Sequence, residues 1–127
     1  MSAPVNRRTI RFVAPLVMLL FCAALGIRNG PRELRAAATV GQRIASYVEM
    51  GYGLFGLLAA VALIQGRRGA TLLLLVAWAT LITVTGALAP VVWGGAPRNI
   101  GLLSAAGTGA VATVVLLLVR RAFRSPA

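Results

Sequence analysis

Acid–base, nucleophilic and metal chemistry all need groups that this chain almost lacks. It has two glutamates, one cysteine, and no histidine, aspartate or lysine. Glu49 is the conspicuous residue, because it stands inside an apolar run, Ser46-Tyr47-Val48-Glu49-Met50-Gly51-Tyr52-Gly53. An ionisable group at membrane depth is costly and marks a functional site by default. Three roles stay open for it: an anchor paired with Arg98 or Arg43 or hydrogen-bonded to Tyr and Trp groups, the lining of a small polar pocket, or a proton-exchanging carboxylate. The other chemistries are poorly served. A nucleophilic triad has no histidine base, and a metal site has no His or Cys cluster. Paired carboxylates are not expected, because Glu33 reads as part of a polar loop and Glu49 as part of a span. The glycines follow no strand, so they form no phosphate loop. The expectation is a non-enzymatic protein with no catalytic residue, no metal and no cofactor.

The elements that must position Glu49 are apolar helices. Four apolar stretches, 12–27, 44–65, 70–93 and 100–119, are bounded by arginine. About 20 apolar residues cross a hydrocarbon core of ~30 Å, and backbone in lipid must be helical or form a closed barrel. No strand alternation competes, so the sequence predicts a single all-α domain, an up-down bundle of four transmembrane helices. The first stretch is short, and arginines at its ends can snorkel to extend it. Arg7, Arg8 and Arg11 ahead of it, with Ala24-Leu25-Gly26 at its end, also fit a signal peptide. The run continues through Ile27, which favours an uncleaved helix. Cys22 reads as a small apolar side chain.

The connections 28–43, 66–69 and 94–99 place the start of the second span, the end of the third and the start of the fourth at one end of the bundle. Glu49, Tyr47, Tyr52, Trp93, Arg98 and Asn99 therefore converge there. Within the first connection, Asn29-Gly30-Pro31 is a helix-start signal. It predicts either a short interfacial helix carrying Arg28, Arg32, Arg35 and Arg43 onto lipid phosphates, or a solvated loop. With the termini inside, eight arginines lie on the inner side and five on the outer, which favours cytoplasmic termini.

Membrane helices associate through small residues. The second span carries Ala45, Glu49, Gly53, Gly56 and Ala60 on one face. The third carries Val76, Thr80, Thr83, Ala87 and Pro90, and the fourth Gly101, Ser104 (or Ala105), Thr108 and Ala112. These faces are expected to meet in one interior, their hydroxyls returning hydrogen bonds to their own helices. Trp78, mid-span, reads as a packing or lipid-facing ring.

Composition agrees with this architecture. Hydrophobic residues make up 59% of the 127, and the mean hydropathy is +0.88. All 13 basic residues are arginine and the net charge is +11. In a soluble protein that charge would suggest nucleic acid. Here the arginines sit between apolar runs, so anionic headgroups are the expected counter-charge and nucleic acid is not.

The stretch Glu49-x3-Gly53-Leu54-x-Gly56-Leu57-Leu58, continuing to Arg67-Arg68-Gly69 and Ala70-Thr71-Leu72-Leu73, resembles the second and third helices of DoxX-like small bacterial membrane proteins. The resemblance covers the middle third of the chain. It implies four helices in a bacterial inner membrane and a partner role in a larger membrane system. Small proton-coupled multidrug transporters, also four helices with one membrane Glu, are the second analogue, although their Glu lies in the first helix. The chain is thus expected to be an accessory or scaffold subunit, associating with another membrane protein or with itself. The alternative is a transporter working as a homodimer through Glu49.

Overall fold

A computed structural model describes residues 7–124, with side chains from residue 12 onward. Arg7, Arg8 and Arg11, which enter the inner-side charge count, have side chains outside the described set. Four α-helices, and no strand, make up the regular structure of the described residues: α1 (Arg7–Ala36), α2 (Val40–Ile64), α3 (Arg68–Val92) and α4 (Arg98–Arg124). All four are long and apolar enough to cross a membrane. Each helix packs on its neighbour in sequence, and α4 returns to touch α1. That last contact is lighter and includes Phe12 edge-on against Phe123, ring centroids 5.0 Å apart.

The first connection differs from expectation. No separate interfacial helix and no long loop follow Ile27; α1 runs unbroken through Asn29, Gly30 and Pro31 to Ala36. Pro31 removes one backbone donor and crowds the preceding turn, yet the helix persists because it is packed. Gly30 lies directly against the Met50 side chain, and Gly26 against the backbone of Gly53. Tertiary packing here overrides a local start signal. The real connection is three residues long, and Thr39 ends it as the cap of α2. Its hydroxyl accepts from the Gln42 N–H at 3.1 Å, and the Gln42 carboxamide oxygen accepts from the Thr39 N–H at 3.3 Å. That reciprocal box satisfies two of the free donors at a helix start. Gln42 also donates to the Val92 carbonyl at 3.0 Å, tying α2 to the end of α3.

The other two turns use glycine where the backbone demands it. Gly66 has φ of 72° and Gly95 has φ of 64°, a region that costs side-chain-bearing residues energy.

Helix α2 is the centre of the bundle, with Ala45, Glu49, Gly53, Gly56 and Ala60 all buried. The expected meeting of three stripes is corrected for α3. Its buried face is Thr71, Leu75 and Trp78, while Val76 and Thr80 are exposed. A small, hydroxyl-bearing stripe can face a neighbouring helix across a groove as well as it can face a core. Thr80 and Thr83 do the former, lining a shallow groove of about 410 Å³ with Gly109 and Thr113 of α4. Their hydroxyls donate to the carbonyls of Val76 at 2.9 Å and Ala79 at 2.7 Å. On α4, Thr108 donates likewise to the Ser104 carbonyl at 3.1 Å and packs on Gly86. Trp78, 1% exposed, is a packing ring seated on Gly56. It joins Leu19, Leu75, Val115 and Val119 in the core. By topology this four-helix core sits toward the end that carries both termini.

Candidate functional site

The opposite end of the bundle is held by the α1–α2 contact. A Cβ added at Gly26 would lie 2.8 Å from the Glu49 carbonyl oxygen and 2.9 Å from the Gly53 Cα. Only glycine lets two backbones approach this closely. Glu49 is 9% exposed and stands in the third turn of α2, ~13 Å along the helix from Val40 at 1.5 Å per residue.

The charged group that faces Glu49 is Glu33, whose carboxyl lies within hydrogen-bonding reach. This corrects the expectation that the chain has no paired carboxylates. Because α1 continues past Pro31, Glu33 is a helical residue on the face that meets α2 rather than a loop residue. Two carboxyls this near can hydrogen-bond to each other only where one of them holds a proton. Tyr52, one turn further along α2, is buried beside them and faces Glu49, Cys22 and Glu33.

Of the residues singled out by sequence, Glu49 and Tyr52 come together. Trp93 joins them indirectly, lining a cavity of about 330 Å³ with Asn29, Arg32, Glu33 and Ala36. Its indole N–H is buried without an acceptor. Tyr47 is 60% exposed on the apolar surface. Arg98 and Asn99 are exposed at the start of α4. Neither Arg98 nor Arg43 is among the charged groups facing Glu49. Arg98 belongs to the helix diagonally across from α2, with which α2 makes no close backbone contact, and Arg43 points outward from α2.

Sequence reasoning missed Glu33, Gly26 and Gly30. A signal was present, since Gly26-x3-Gly30-x2-Glu33 mirrors Glu49-x3-Gly53-x2-Gly56 at the same helical spacing. It becomes visible only when the helical register is carried through Pro31. No cluster of three or more His, Cys, Asp or Glu that could hold a metal occurs among the described residues. What the arrangement can do chemically is hold and exchange one proton between two carboxyls, or present them together to a cation. Comparisons with protein-family models, with curated proteins and with solved structures find no match.

Proposed function

We propose that the chain is a non-enzymatic, multi-pass protein of a bacterial inner membrane, acting as an accessory or scaffold subunit of a larger assembly. One observation supports this reading: the outward face of α4, otherwise of leucine and valine, is broken by a patch of small residues between Leu103 and Val111. Ala106, Gly107 and Ala110 are all exposed, and a Cβ added at Gly107 would meet nothing within 4 Å. Small residues in this spacing let a second helix approach closely, whereas lipid alone has no need of them. The resemblance of the middle third to DoxX-like proteins supports the same role. Both termini are assigned to the cytoplasm on the arginine balance of eight against five. Anionic headgroups supply the counter-charge.

The test is purification in mild detergent, followed by identification of what travels with the chain. A subunit brings a distinct membrane protein with it, and Gly107→Leu with Ala110→Leu releases that partner while helicity persists. A chain that runs alone in mild detergent sinks this reading.

The Glu33–Glu49 contact favours a second reading, a small proton-coupled transporter acting as a homodimer. It predicts a self-associated particle and substrate uptake that depends on a pH gradient in proteoliposomes. Glu49→Gln abolishes that uptake while leaving assembly intact.

A further inference from the structure

Thirteen arginines face two carboxylates in this chain, and those two carboxylates are in contact with each other. The counter-charge for the arginines must therefore come largely from outside the protein. Most of them are scattered at helix ends, but three are not. Arg28, Arg32 and Arg35 sit at i, i+4 and i+7, so the last turns of α1 carry them along one side. All three are exposed, and together with Ala36 they line one open concavity of about 560 Å³. Arg32 and Ala36 also line the adjoining cavity of about 330 Å³, whose other walls are Asn29, Glu33 and Trp93.

We propose that these joined concavities form a headgroup site for an anionic phospholipid, with Arg28, Arg32 and Arg35 holding its phosphodiester. The reasoning is chemical and positional. Guanidinium forks match phosphate oxygens bidentately, and a lysine would offer only a point charge. The trio begins directly after Ile27, where the apolar part of α1 ends, which is the depth of lipid phosphates. The end of a helix presents the negative pole of its dipole, so the phosphate is held by side chains and not by backbone N–H groups. Asn29 and Glu33 in the adjoining cavity offer a donor and acceptors to a hydroxylated headgroup such as glycerol. The site rests on the membrane reading above, but not on the partner or on which side the termini face. A lipid source is favoured over soluble phosphate because the trio follows directly on the exposed apolar residues Leu25 and Ile27 of α1.

The full chain is reconstituted in nanodiscs holding equal amounts of phosphatidylcholine and phosphatidylglycerol. Native mass spectrometry after release counts the lipids retained by each chain. Wild type is expected to retain phosphatidylglycerol in preference to phosphatidylcholine. The variant Arg28→Gln/Arg32→Gln/Arg35→Gln should lose that preference by roughly tenfold, the scale of a lost charge-assisted pair. The control Arg120→Gln/Arg121→Gln/Arg124→Gln, with the same charge change at the far end, should keep it. Equal loss in both variants, or loss in neither, overturns the site. Should the triple variant fail to fold, Arg32→Gln alone carries the test, because Arg32 lines both cavities. Inorganic phosphate is added in a parallel arm; if it displaces phosphatidylglycerol, the site belongs to free phosphate and the lipid assignment falls. A wild-type chain that does not enter nanodiscs at all fails the membrane reading, and this site with it.

Discussion

Glu33 and Glu49 meet because glycines remove the side chains that would hold their helices apart. Tyr52 on α2 is buried beside the pair, and Arg32 lines the adjoining cavity with Glu33. A double-mutant cycle between the two positions should return a coupling of about 1 kcal/mol, the scale of one net hydrogen bond. Zero coupling would mean the two side chains do not act together. By contrast, Glu49→Leu strands Glu33 against an apolar wall and should destabilise more than Glu49→Gln.

At the scale of elements, the α1–α2 pair is set by how near the backbones come. Gly26→Val would drive a branched side chain into the Glu49 carbonyl and the Gly53 Cα, both under 3.0 Å from the added Cβ. Overpacking of this kind typically costs about 1–3 kcal/mol, readable as lost thermal stability in detergent, whereas Gly107→Val on the open face of α4 should leave the isolated chain's stability unchanged. The same geometry explains what could be read from sequence. The buried face of α2 was legible because Ala45, Glu49, Gly53, Gly56 and Ala60 recur at helical spacing on a helix flanked on both sides. The length of α1 was not, because Asn29-Gly30-Pro31 carries a local start signal, while the packing of Gly30 on Met50 and of Gly26 on Gly53 is non-local. Glu33 was hidden with it, since a residue assigned to a loop has no face. On α3 the small-residue stripe was legible but its partner was not: periodicity finds a face without saying whether core or neighbouring helix covers it.

The whole molecule is lopsided. Large side chains from all four helices fill the end near the termini, where Leu19, Leu63, Leu75, Trp78, Val115 and Val119 are buried. The far end is closed by glycine contact between α1 and α2 and by the Gln42–Val92 bond. Apolar filling at one end and polar groups at the other give the bundle a direction, and the orientation of that direction in the membrane decides which compartment the carboxyl pair and the arginine trio face. On the proposed orientation, with both termini in the cytoplasm, they face the outer side. In a Cys22→Ser background, Gly66→Cys and Gly95→Cys place single thiols in the two turns, both in open space with nothing near the glycine Cα to obstruct labelling. Each has positive φ, so each substitution costs about 1 kcal/mol of backbone strain, tolerable in a surface turn. A membrane-impermeant maleimide added to intact cells should label the Gly95→Cys chain and leave Gly66→Cys unlabelled until the cells are opened. The reverse pattern would turn the molecule over, putting Glu33, Glu49 and the arginines of α1 on the cytoplasmic side, where a headgroup site would select from the inner leaflet. Labelling of both thiols from outside would mean that residues 68–92 do not separate two compartments, and the four-span arrangement itself would fall.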